Sequence, residues 1–195
     1  MPAGLWAVAS GLRGPGEAAA WARGAAAAAA WTFRRPRGGD REALAALRLL
    51  RRRAPWLAVH GRWDLALLAG AEAWIRSAGS LEPPADRELL RGASVHDEAE
   101  AAAALEAGAL FLIYGPVFPT PSKAGILEAR GVQALAALTA SSPVPVIAIG
   151  GFTGEEELRQ ARAAGAHGVA VLRAAREPER LGRLARAWEE AQPSS

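Results

Sequence analysis

The chain has no cysteine and no asparagine, and lysine, tyrosine and methionine each occur once. Without cysteine, disulfide frameworks and thiolate chemistry are excluded, and the redox compartment cannot be read. Aspartate is scarce, at Asp40, Asp64, Asp86 and Asp97. No apolar run approaches the roughly 20 residues of a membrane span, and Ala25 to Trp31 falls far short of it. The N-terminus shows no charged stretch followed by an apolar core, so no signal peptide is expected and the cytoplasm is the default location. Charge of one sign is also lacking: 23 basic and 20 acidic side chains leave a net charge of +3. Arg51-Arg52-Arg53 closes a helical stretch, where cations suit the helix dipole. No basic stripe is interleaved with aromatics, so nucleic acid is not an expected partner.

What is present is alternation. The 195 residues are most simply one domain, 1–195, large enough to bury a substantial core. Short apolar runs read as strands at Leu5–Ala9, Ala28–Phe33, Trp56–Val59, Ala73–Ile75, Ala93–Val95, Leu110–Tyr114, Val144–Ile149 and Gly168–Leu172. Between them lie helical stretches at Glu17–Arg23, Asp40–Arg52, Trp63–Ala69, Asp86–Leu90, Asp97 to Gly108, Val132–Thr139, Thr153–Ala164 and Glu179–Ala191. Asp40 reads as an N-cap, and Thr153 with Glu156 reads as a capping box. The poly-Ala start of the second strand would suit a helix equally by propensity. Eight strand-helix units with near-continuous apolar strands predict an α/β fold, a compact (β/α)8 TIM barrel. A doubly wound open sheet is the alternative, but no Gly-x-Gly-x-x-Gly follows the first strand.

In such a barrel the functional groups sit at the C-terminal ends of the strands. That rule selects Arg34, His60, Arg62, Arg76, Ser94, His96, the loop after Tyr114, Gly150-Gly151 and Leu172-Arg173-Ala174. The loop after the sixth strand, Gly115-Pro-Val-Phe-Pro-Thr-Pro-Ser-Lys123, is stiffened by prolines and carries Thr120, Ser122 and Lys123. Two hydroxyls and one compact ammonium suit phosphate oxygens, although Lys123 also fits a chance surface position. Gly150-Gly151 lets the backbone approach a ligand beside the start of a helix, a recurrent phosphate site in this fold. His96 suits either proton transfer or a structural hydrogen bond. His167 precedes the eighth strand at the far end of the barrel and reads as structural.

The segment Gly115 to Lys123 resembles the loop after the sixth strand of thiamine phosphate synthase and its relative, the TenI-type thiazole tautomerase. Gly125 and Arg130-Gly131 resemble the TenI branch, and the likeness runs from about Leu5 to Leu172. The resemblance implies that Gly150-Gly151 and the backbone at Leu172-Arg173 hold the phosphate of a thiazole. It places Arg34 where the synthase has the arginine of its Gln-x-Arg-Glu-Lys motif, flanked here by Thr32, Arg35 and Pro36. The synthase's two magnesium-linked aspartates are matched by Gly61 and Ser80. The tautomerase's Asn-Gly-Arg and Ser-Val-His segments are matched by His60-Gly61-Arg62 and Ser94-Val95-His96, while Pro116 stands where its catalytic histidine would be.

The expectation is therefore a TenI-like protein of thiamine biosynthesis that binds a thiazole phosphate or related small phosphorylated ligand. It would have a metal-independent tautomerase activity in which His96, Lys123 and His60 are the catalytic candidates. Arg34, Arg62, Ser94, Thr120, Ser122, Lys123, Gly150, Gly151, Leu172 and Arg173 are the binding candidates. Thiamine phosphate synthase, joining a pyrimidine pyrophosphate to the thiazole phosphate, is the alternative, with magnesium implied only in that case. A non-catalytic phosphate-binding or regulatory barrel is a further alternative. No cofactor, no nucleic acid and no membrane are expected, and the sequence is compatible with a homo-oligomer.

Overall fold

The computed structural model describes residues 1–34, 39–77, 89–120 and 128–191. Its core is a closed barrel of eight parallel strands in sequential order. The elements are β1 (Gly4–Ser10), α1 (Pro15–Gly24), β2 (Ala30–Arg34), α2 (Asp40–Arg51), β3 (Leu57–His60), α3 (Trp63–Ala69), β4 (Ala73–Arg76) and β5 (Leu90–Val95). They continue as α4 (Glu98–Glu106), β6 (Phe111–Tyr114), α5 (Gly131–Ser141), β7 (Val146–Ile149), α6 (Glu155–Ala163), β8 (Gly168–Val171), a 3-10 turn at Ala174–Arg176 and α7 (Pro178–Glu190). β1 pairs with β8 through Gly4 to Ala7 and Gly168 to Val171, which closes the cylinder. Among the described residues no helix is long and apolar enough to cross a membrane.

Period-two alternation sorts each strand into an inner and an outer face. The inner set includes Trp6, Val8, Ala30, Ala58, Ala73, Ile75, Phe111, Ile113, Ile147 and Ala170. The outer set, including Trp31, Phe33, Leu57, Val59, Trp74, Leu112 and Val169, meets the helices. Helix α2 presents Ala43, Ala46, Leu47 and Leu50 to it, the i, i+3, i+4, i+7 stripe of an amphipathic helix. Inside, size is graded along the axis. Trp6, the half-buried Trp56 and Phe111 stack at the strand starts, with ring centroids 5.0 to 6.1 Å apart. Gly92 faces this stack, because a Cβ there would come within 2.7 Å of the Phe111 ring edge. The aromatic plug fills the N-terminal end, so open space is left at the C-terminal end.

Several boundaries differ from expectation. The N-cap of α2 is Gly39, and Asp40 is the first helical residue. Helix α6 is capped one position later than Thr153-Glu156 suggests: Gly154 is the N-cap and its N–H donates to Glu157 Oε2 at 2.9 Å. Thr153 Oγ1 also donates to Glu157, so the carboxylate of the third helical residue decides the start. Strand β7 begins at Val146, since Ser142 holds Val144 in a local turn and Pro145 has no N–H to offer. The helix expected over Asp86–Leu90 lies mostly outside the described residues. Leu90 itself opens β5, donating its N–H to Glu72 O at 3.1 Å and pairing with Ala73.

Candidate functional site

Two residues beyond the inner alanines, the alternation turns polar. Ala30 is followed on the inner face by Thr32 and Arg34, Ala58 by His60, and Gly92 by Ser94 and His96. These side chains converge on a cleft of about 520 Å³ at the C-terminal end, lined by Arg34, His60, Arg76, Ser77, Ser94, His96 and the apolar floor of Ile113 and Ile149. Arg34 and Arg76 give the cleft a positive rim. Leu172 packs on the interior apolar cluster, and Arg173 is exposed beside it.

His60 meets Thr32, whose Oγ1 lies 2.6 Å from Nε2. Burial, and then the positive charge of Arg34, push the His60 pKa down to about 3, so the imidazole is neutral at physiological pH. A ring that holds a proton so weakly is a poor base near neutrality, although it remains a hydrogen-bonding group.

His96 is positioned from both sides. Its backbone N–H donates to Glu100 Oε2 at 2.7 Å, while Asp97 caps α4 by accepting from the Glu100 N–H at 2.8 Å. Its ring Nδ1 lies 2.7 Å from the Gly115 carbonyl oxygen. A carbonyl only accepts, so Nδ1 carries the proton, and in the neutral ring the Nε2 lone pair is the acceptor.

Arg62 does not join the cleft lining. It donates to Asp40 at 2.7 and 2.9 Å and to Asp64 at 2.8 and 2.7 Å, tying the first turn of α2 to that of α3. Four of its five N–H donors are thereby used. The two carboxylates raise the Arg62 pKa, and hydrogen bonding to Arg62 is the main cause that lowers both Asp40 and Asp64. Sequence reasoning put Arg62 at a strand end correctly but had no means to see its two partners.

Gly150 and Gly151 have φ of 99° and 79°, in the left-handed region. A Cβ on Gly150 would come within 2.6 Å of Pro116 Cβ, and one on Gly151 within 2.6 Å of the Phe118 carbonyl group. Val117 N–H donates to Ile149 O and Phe118 N–H to Gly150 O, so the loop after β6 lies along the loop after β7. The glycine pair thus seats one loop on the other. The adjoining α6 carries Glu155, Glu156 and Glu157 in its first turn, which offsets the positive end of its dipole. Thr120 is the last described residue before the gap, and Ser122, Lys123 and Gly125 lie outside the described residues, as does Ser80.

Thr32 and Glu100 were not anticipated as site residues. Thr32 could have been found, because a polar residue two positions before Arg34 breaks an otherwise apolar strand. At Gly61, one of the two positions matching the synthase's magnesium carboxylates, there is no side chain, and the nearby Asp64 is neutralised by Arg62. Among the described residues no group of three or more acidic or histidine side chains is placed to hold a metal ion. The donor set at these residues does not fit magnesium, which needs hard oxygen ligands free to bind it.

The sequence pattern of the family described as thiamine monophosphate synthase matches residues 22–175. The thiamine-phosphate synthase of Myxococcus xanthus is 41% identical over 143 residues, 68% of this chain and 64% of that protein. That of Salinibacter ruber is 51% identical over 83 residues, 41% of this chain and 36% of that protein. The chain thus spans less than two thirds of the length of these curated relatives. Among solved structures, thiamine phosphate pyrophosphorylase from Pyrococcus furiosus superposes with a TM-score of 0.78 at 25% identity, covering 97% of each chain. The Bacteroides thetaiotaomicron thiamine phosphate pyrophosphorylase, at 17% identity and a TM-score of 0.68, shares the fold.

Proposed function

This chain belongs to the thiamine monophosphate synthase family, and from that membership we propose that it binds a thiazole phosphate at the C-terminal mouth of its barrel and joins it to a pyrimidine delivered as its pyrophosphate. The observation that carries this reading is the cleft itself. A roughly 520 Å³ space rimmed by Arg34 and Arg76 lies within the size range of small-molecule sites and carries charge suited to anionic ligands. The relatives' shared name supports the transferase ahead of the tautomerase. So does Pro116, which takes the position of the tautomerase's own base and has no proton to transfer. In this reading Arg34 holds the pyrophosphate end, Ser94 offers a hydroxyl from the cleft wall, and His96 presents its Nε2 lone pair to a ligand donor. The reaction breaks the bond between the pyrimidine's methylene carbon and pyrophosphate and forms one from that carbon to the thiazole nitrogen.

The tautomerase is a second reading, favoured by one observation: Nδ1 of His96 is fixed as a donor to Gly115 O, which leaves Nε2 as the acceptor a proton shift would need. Product formation separates the readings. Incubated with thiazole phosphate and pyrimidine pyrophosphate, the protein is expected to release pyrophosphate and form thiamine phosphate. Thiazole phosphate affinity measured by calorimetry is expected to be unchanged by EDTA, because the described residues supply no magnesium site. A large loss of affinity on chelation would reveal a carboxylate site that the described residues do not contain. Absence of condensation, with deuterium exchange into a thiazole carboxylate phosphate, would establish the tautomerase instead. Binding without either reaction would leave the non-catalytic barrel.

A further inference from the structure

Thr32 is a fully buried polar side chain, with 0% of its surface exposed. A buried hydroxyl that cannot place its proton incurs the desolvation cost of an unmade hydrogen bond. The partner found for Thr32 Oγ1 is His60 Nε2, at 2.6 Å. If Nε2 carried the imidazole proton, it would donate to Oγ1 and leave the hydroxyl hydrogen with no acceptor. If the hydroxyl donates to Nε2, both groups are satisfied. The second arrangement requires the neutral tautomer with its proton on Nδ1. His60 lines the cleft, and among the described residues its Nδ1 has no hydrogen-bond partner, yet it is not one of the fully buried polar atoms left without one. The Nδ1–H therefore opens on the cleft.

We propose that His60 is a ligand-contacting hydrogen-bond donor whose tautomer is set by Thr32, and that it reads an acceptor atom on the anionic end of the ligand held by Arg34. Thr32 is then a positioning residue, and it acts only through the imidazole. The neighbouring Arg34 charge and the burial of the ring both oppose a second proton, so His60 stays a neutral donor across the physiological range. The two cleft histidines accordingly play opposite parts. Both carry the proton on Nδ1, but His60 turns that N–H to the ligand, while His96 spends its own on Gly115 and turns a lone pair to the ligand. A ligand edge that accepts on one side and donates on the other is selected by this pair. This assignment of the ligand's anionic end rests on the reading under Proposed function; the tautomer does not.

Long-range proton–nitrogen correlation spectra of the full chain test the tautomer directly, and with only three histidines the signals are separable by His96→Gln and His167→Gln variants. The expected result is an Nδ1-protonated, neutral His60 from pH 5 to pH 8, retained in Thr32→Ser and lost or mixed in Thr32→Val. An Nε2-protonated ring in the unmodified protein would overturn the proposal. The contact is tested with inorganic pyrophosphate as the probe. Replacing His60 by Leu is expected to weaken its binding about tenfold, the effect of one lost hydrogen bond to a charged acceptor. His60→Asn, which keeps an N–H donor, is expected to recover part of the loss and guards against a Leu variant that fails to fold. If pyrophosphate binds equally well to all three, His60 contacts no ligand and the proposal falls alone. If the unmodified protein binds no pyrophosphate, the anionic-ligand reading falls together with the contact, while the spectra still decide the tautomer.

Discussion

Acidification is expected to destabilise the protein by up to about 1.4 kcal/mol per pH unit below about pH 6.5, through His60 alone. The sign follows from proton counting. In the unfolded chain His60 gains a proton as the pH falls through its ordinary value near 6.5, whereas in the folded barrel it does so only at about 3. Between those values the unfolded state binds more protons, so stability is complete above pH 6.5 and drains away as the pH falls. The ring keeps one edge on the cleft, whose water softens the penalty, so the stated slope is the upper value. Burial also lowers the His167 pKa, which adds a contribution of the same sign from the other end of the barrel. The carboxylates Asp40, Asp64 and Glu156, all lowered mainly by hydrogen bonds, lose their contribution only at more acidic pH. Urea unfolding at intervals from pH 7 to pH 5 measures the slope. His60→Gln should flatten most of it, and an unchanged slope in that variant would mean the imidazole is not held neutral.

Gly115→Ala is expected to cost stability at or beyond the upper end of the roughly 1–3 kcal/mol typical of overpacking. A Cβ there would lie 3.0 Å from the Ile149 carbonyl carbon and inside the van der Waals surface of its oxygen. That oxygen is rigidly placed, because it also accepts the Val117 N–H at 3.0 Å. Backbone cannot swing aside as a side chain would, so β6 and β7 must separate at the cleft. The Gly115 carbonyl, which anchors His96 Nδ1, would move with them. The variant should therefore lose both denaturation midpoint and the fixed His96 tautomer. Gly16→Ala is the matched control: an added Cβ meets nothing within 4 Å on helix α1, and the expected effect is neutral or mildly stabilising. Equal stability of the two variants would show that the Ile149 contact yields.

The barrel was legible because every strand is a short apolar run and seven of the strand-helix alternations fall where sequence spacing puts them. Element ends were less so. The start of α6 depends on which of three consecutive glutamates bends back to a backbone N–H, a choice made by geometry that Thr153-Glu156 cannot reveal. At the site, inner-face residues such as Arg34, His60, Ser94 and His96 follow directly from strand-end alternation and do converge on one cleft. Arg62 does not, because its partners Asp40 and Asp64 come from the first turns of α2 and α3, the former 22 positions away. Thr32 escaped notice for a different reason. A lone threonine in an apolar strand marks a polar inner position, but what it serves shows only once its partner on the adjacent strand is known to be His60.

The aromatic plug also makes the closed end of the barrel an optical element. Trp6 and Trp56, 5.0 Å apart and inclined at 53°, are near enough for their indole transitions to couple. Such a pair yields a paired-sign feature in the far-ultraviolet circular dichroism, from the strong indole transition, that depends on the two rings keeping their mutual angle. Trp6 comes from β1 and Trp56 from the approach to β3, so the feature persists only while strands from separate units are held around one axis. Ligands entering at the opposite end leave it untouched. The protein thus carries an internal gauge of barrel closure that is blind to occupancy of its own mouth.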